Sequence, residues 1–173
     1  MQLYVGSEQG SKLENVSWLK EVMNPGSGWS FRFSADGMIY KANKITTNLR
    51  EGDAVCLVEA TGIAEANLLS DAGNPSLIYK VAEQENAIYV DGTAVSLPQG
   101  KTAADVKSAV GVQTGLVFFT DGTVYAYDQT GMTHIQELTE LNQNGSIRKV
   151  FTAYTNAQNI FLILDNNLTY VLK

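Results

Sequence analysis

One cysteine and one histidine are all that this chain offers to thiol, imidazole and soft-metal chemistry. A lone Cys56 cannot close an internal disulfide. A structural zinc site takes about four Cys, His or carboxylate ligands, so one residue of each kind excludes that class. Nucleophilic catalysis needs a nucleophile, a base and an orienting group brought together, and nothing in the sequence joins Cys56 to His134. Cys56 in "AVCLV" reads as a small buried hydrophobe, and His134 in the outer strand "THIQEL" as a surface or partly satisfied residue. Charge is scarce as well: 17% of residues are charged, the formal net charge is −6, and no Lys/Arg run occurs. A non-specific nucleic-acid binder needs clustered cations to replace phosphate counterions, so that function is excluded, with a local basic patch left open. No P-loop and no dinucleotide-binding glycine motif is present, and no cofactor is expected. Apolar runs stay well short of the roughly 18–20 residues that span a bilayer, so no membrane partner is expected. The start, "MQLYVGSEQGSK", lacks a basic n-region, an apolar h-region and a small-residue cleavage site. The expectation is a cytoplasmic protein, or one built into an assembly made there, without a signal peptide. Asn15, Asn144 and Asn167 head glycosylation triplets that are then chance matches.

What the chain does have is hairpins. Its 173 residues are 45% hydrophobic, enough to bury a core, and fit a single β-repeat domain over 1–173. Asp-Gly between two apolar runs is a strong hairpin signal, because both central positions of a type I′ turn need positive φ. The phrase occurs as "WSFRFSADGMIYKA" (29–42), "NAIYVDGTAVSL" (86–97) and "LVFFTDGTVYAY" (116–127), and with Asn-Asn in the turn as "NIFLILDNNLTYVL" (159–172). With the turn pairs in register, Phe33, Ile88, Phe118 and Ile163 stand three residues before the turn. Tyr40, Val95, Tyr125 and Tyr170 stand four after its first residue. Large apolar residues matched on both arms are what a two-stranded unit with a buried face requires.

The flanks extend the pattern. "SLIYKVAEQ" (76–84), "DVKSAVGV" (105–112) and "SIRKVFTAY" (146–154) read as strands leading in, "DAVCLVEA" (53–60) and "THIQELTEL" (133–141) as strands leading out. Helix is confined to two or three short candidates. "LENVSWLKEVM" (13–23) has amphipathic spacing, and "GIAEANLLSDAG" (62–73) allows one turn. In "KTAADVKSAV" (101–110) Thr102 can cap a turn with Asp105 before a strand starts near 106. The fold class read from this is all-β: antiparallel hairpin repeats, propeller-like, in four small blades or a partial ring, with a β-sandwich as the alternative. An N-terminal strand over 1–6 would complete the last repeat and cover both termini.

An apolar strand, a D-G turn and an aromatic-rich return strand, as in "IRKVF" and "TDGTVYAY", resemble the repeats of RCC1-like β-propellers. The resemblance covers about 105–172 and more loosely 18–98; it implies a propeller of about fifty-residue blades. The stretch "VGVQTG" stands where the family has a Gly-rich, His-containing lead-in, and Tyr127-Asp128 where it has aromatic-Gly, so its partner functions are not carried over.

Candidate sites are few. Asp36, Asp91 and Asp121 are the obvious oxygen ligands for calcium, yet each has a sufficient role in its turn, and no metal is expected. Glu59, Glu65, Glu83 and Glu85 are scattered acids that read as a solvated face rather than a catalytic pair. Trp18 and Trp29 flank "NPGSG" and form the candidate interaction surface, either as interface anchors or as a platform for a sugar ring. The expected function is a non-enzymatic protein–protein interaction or structural module that binds a protein partner or itself, for instance as a subunit of a virus or phage particle. The alternative is a carbohydrate-binding module.

Overall fold

The computed structural model describes residues 4–5, 11–12, 18–24, 28–35, 37–45, 57–71, 73–153 and 156–172. Among them are sixteen strands, one α-helix and two 3-10 turns, and neighbouring strands in every sheet run antiparallel. The all-β class expected from the hairpin phrases is the class observed. No helix among the described residues is long and apolar enough to cross a membrane. The chain divides into two compact units, Met1–Ala66 and Asn67–Lys173.

In the first unit β1 (Tyr4–Val5) pairs with β2 (Ser11–Lys12) as a short ribbon. Then β3 (Trp18–Asn24), β4 (Gly28–Ala35), β5 (Met38–Ile45) and β6 (Leu57–Ala64) form a meander in sequence order. The amphipathic helix expected over 13–23 is corrected here: Trp18–Asn24 is a strand, and 13–17 lie outside the described residues. Its helical spacing yields to a cross-strand ladder that runs unbroken from Trp18↔Ser34 to Asn24↔Gly28. Strand preference is decided by such neighbours more than by local pattern. Phe33 stands directly opposite Tyr40 across the first hairpin, as the phrase alignment requires.

The second unit holds three meanders. They are β7 (Ile78–Val81), β8 (Gln84–Val90) and β9 (Thr93–Ser96); β10 (Val106–Gly111), β11 (Gly115–Phe119), β12 (Val124–Asp128) and β13 (Gly131–His134); and β14 (Ile147–Ala153), β15 (Asn156–Leu164) and β16 (Thr169–Leu172). They open in the same way. The first N–H beyond β8, β11 and β15 (Asp91, Thr120, Asp165) donates to the carbonyl just before the sheet's first strand (Leu77, Asp105, Ser146), at 2.9, 2.8 and 2.9 Å. The repeat read from the hairpins is therefore a repeat of backbone hydrogen bonding.

The turns differ under similar letters. Asp91 and Gly92 both have positive φ, 47° and 87°, and close a two-residue loop between Val90 and Thr93. That is the I′-like geometry expected, and Ile88 faces Val95. In the third hairpin the loop is one residue longer: the Gly122 N–H donates to Phe119, Phe119 N–H to Thr123, and only Gly122 of the pair has positive φ. The fourth copies it, with Asn167 in the left-handed position and Leu164 N–H donating to Leu168. The extra residue shifts the return strand by one, so Phe118 faces Val124 and Ile163 faces Thr169, and the aligned Tyr125 and Tyr170 face Val117 and Leu162 instead. This corrects the single register drawn through all four copies.

One further correction concerns "THIQELTEL". The strand stops at His134, and Gln136–Gln143 forms α1. This run is rich in Gln, Glu and Leu, good helix formers without β-branches except Thr139. Leu138 and Leu141 lie three apart, and both join the core between the second and third sheets. The other two short candidates are 3-10 turns, Glu65–Asn67 and Ala103–Asp105; strand β10 starts at Val106 as expected.

Strand β11 is buried on both faces. Val117 and Phe119 pack with Ile78, Ile88 and Val90 of the first sheet. Leu116 and Phe118 pack with Ile160, Leu162 and Leu164 of the third. The middle sheet is thus sandwiched, and its strand pattern reads as a continuous apolar run because neither side meets water.

Candidate functional site

The turn carboxylates are held by hydrogen bonds within and beside their turns. Asp91 Oδ1 accepts the Leu77 N–H at 2.8 Å. Asp121 accepts from Lys101 Nζ, from the Thr123 hydroxyl at 2.6 Å and from the Thr123 N–H at 3.0 Å. The Lys101 hydrogen bond, then those of Thr123, hold its carboxyl well below the usual carboxylate range. Asp105 is lowered by the Thr102 N–H and then the Thr102 hydroxyl, and Asp128 by the Thr130 hydroxyl and N–H. Each set of bonds stabilises the charged form, locally for Asp105 and Asp128 and with Lys101 from outside the turn for Asp121. Asp36 and Cys56 lie outside the described residues, as do the side chains of Trp18, Trp29 and Glu59; the backbones of both tryptophans lie in β3 and β4. Glu83 and Glu85 are exposed on the β7–β8 side. Among the described residues no three His, Cys, Asp or Glu side chains gather as metal ligands would.

His134 ends β13 with its ring against Tyr125, centroids 5.0 Å apart, and its Nε2 2.9 Å from the Thr139 hydroxyl. That hydroxyl also accepts the Val124 N–H at 2.9 Å. His134 is therefore a corner piece between β12 and α1, partly satisfied as its strand position implied.

Two surfaces of the second unit were not singled out by the sequence reading. The first is the outer face of the β14–β16 sheet. Phe151, Phe161 and Val171 stand opposite one another across its three strands, and the two phenyl rings stack at 5.3 Å. Counted from the shared turn hydrogen bond, they occupy the places of Val110, Leu116 and Ala126 in the β10–β13 sheet. There the row is packed under the next sheet; Leu116 is only 4% exposed. In the last sheet Phe151 and Phe161 are half-buried and Val171 is 44% exposed; Tyr170 and Leu168, also exposed, alternate onto the other face, opposite Leu162 and Leu164. The unbroken apolar run "IFLIL" carried this signal, since a one-sided strand leaves alternate positions polar and this one does not.

The second is a cleft of about 290 Å³ between β10 and β14, lined by Lys107, Ser108, Arg148 and Lys149 with Asp71 and Asn142. Beside it the buried Asn74 exchanges two hydrogen bonds with Gly111, at 2.8 and 3.0 Å, and receives the Thr152 hydroxyl at 3.4 Å. That amide ties the 73–77 loop to the β10 end and to β14, beside the cleft. No protein-family model, no curated protein and no solved structure matches this chain.

Proposed function

We propose that the chain is a non-enzymatic β-repeat module that acts through protein–protein contact, associating with a second copy of itself through the outer face of the β14–β16 sheet as a subunit of a larger assembly. The observation that carries this is the Phe151–Phe161–Val171 row. Its counterpart one sheet earlier is covered by a sheet, and the row itself offers aromatic and aliphatic surface half open to water. A contiguous apolar patch of this kind marks an interaction site. The run Leu168–Leu172 on the same sheet carries no charge, Pro or Gly that would discourage another strand or sheet. In this reading the meanders are divergent blades, as the RCC1-like resemblance implies, and the last one is finished by a partner. The test is absolute mass by light scattering across a concentration series, for the native chain and for Val171→Lys. Val171 is exposed, so the substitution leaves the fold intact by circular dichroism. The native chain rises to a multiple of its monomer mass and the variant stays monomeric. A native chain that is monomeric throughout overturns the proposal.

A further inference from the structure

The cleft between β10 and β14 concentrates cations in a protein whose net charge is −6. Lys107 and Arg148 bring cationic side chains to it against one carboxylate, Asp71; Lys149 also lines it, but its ammonium turns to the Phe151 ring on the outer face of its sheet. None of the three cations is joined to a carboxylate among the described residues. Arg148 donates to the neutral Asn167 Oδ1 at 3.1 Å, and Lys149 Nζ lies 5.3 Å from the Phe151 ring centroid.

Backbone geometry places them there. The β10–β11 register slips between Val106 and Ser108, and the β14–β15 register slips between Ile147 and Lys149. The extra residues are Lys107 and Arg148. They follow equivalent apolar positions, since Val106 faces Phe119 and Ile147 faces Leu164, each the last residue of its strand before the turn. A bulge re-aims the side chain it inserts, and bulges gather beside functional sites. Two consecutive sheets thus bulge at the same place, each presents a cation there, and both cations line one cleft. The side-chain amide of Asn142 and the hydroxyl of Ser108 add neutral groups to the same walls.

We infer that this cleft is a binding site for a small phosphate-bearing anion. Lys107 and Arg148, one from each sheet, present two positive charges to such an anion, with Asp71 as the single opposing carboxylate. A guanidinium offers the planar fork that suits phosphate oxygens, and the Lys107 ammonium acts as an adaptable point charge. At about 290 Å³ the cleft is at the small end of ligand sites, with room for a phosphate group and a compact remainder but not for a long polymer. This site does not depend on the association proposed above, because it lies on the other end of the sheet's packing, between two sheets of one unit.

Isothermal titration of the full chain with pyrophosphate at low salt tests it, with inorganic phosphate as the minimal probe. The expected result is saturable binding at one site per chain. Lys107→Gln and Arg148→Gln each weaken it about tenfold or more, as loss of a charge-assisted contact does. Lys80→Gln, on β7 in another sheet and away from the cleft, leaves it unchanged. All of these side chains are on the surface or half-buried in strands, and unchanged circular dichroism confirms each variant's fold. Non-saturating heats, native affinity in both cleft variants, or equal weakening by Lys80→Gln each overturn the inference.

Discussion

At the scale of single residues, aspartate side chains tie the turns of the second unit. Asp121 and Asp128 each accept from the threonine two residues on, and Asp91 accepts the Leu77 N–H from across its sheet. The consequence is a pH dependence of stability. Asp105, Asp121 and Asp128 have folded values below their unfolded ones, near 3.9. Their contribution is present in full above that value and is lost as pH falls through the folded values. Urea midpoints measured from pH 5 downward therefore fall, and Asp121→Asn makes the decline shallower while lowering the midpoint at neutral pH. An unchanged slope contradicts this. Tyr127 and Gly115 show what the sequence could not mark. The Tyr127 hydroxyl donates to the Val112 carbonyl at 3.1 Å, and its ring lies so close over Gly115 that a Cβ there would collide with that hydroxyl and with the Val110 carbonyl. "VGVQTG" gives no hint of it, because the ring arrives from another strand. Gly115→Ala destabilises by about 1–3 kcal/mol, as overpacking does. Gly73→Ala, with only an ordinary contact to Asp71, stays within about 0.5 kcal/mol. Urea unfolding of the two variants separates these outcomes.

At the scale of elements, the strands and hairpins of the second unit could be read directly, since alternation and turn chemistry are local. The register could not. A two-residue and a three-residue loop are both compatible with Asp-Gly, and the choice depends on whether Asp takes positive φ, as Asp91 does, or leaves that to Gly122. The helix α1 was missed for a related reason: "THIQELTEL" alternates well enough for a strand, and only packing of Leu138 against the sheet beneath decides. Its docking rests on Thr139, whose buried hydroxyl takes up the Val124 N–H at the start of β12. Thr139→Val keeps the shape and strands that donor, so it costs about 1–3 kcal/mol in chemical unfolding. Thr139→Ser, which retains the hydroxyl, recovers most of the loss. Equal stability of the Val variant and the native chain rules out this docking role.

At the scale of the whole molecule, the second unit stacks three meanders so that the middle one is buried on both faces and the last presents an apolar row to its outer side. The all-β class followed from the repeated phrase. Neither surface did: the outer row needs the register to bring Phe151, Phe161 and Val171 together, and the cationic cleft needs two bulges that no residue pattern announces. Composition pointed away from basic patches, and the local one arises only where β10 and β14 meet. Association through the outer row is the central claim. The most direct measurement is hydrogen–deuterium exchange of the native chain at low and high concentration, followed by peptide. Self-association predicts that exchange in peptides covering 156–172 slows as concentration rises, while peptides covering 84–96 are unaffected. Exchange that is independent of concentration across 156–172 would contradict it.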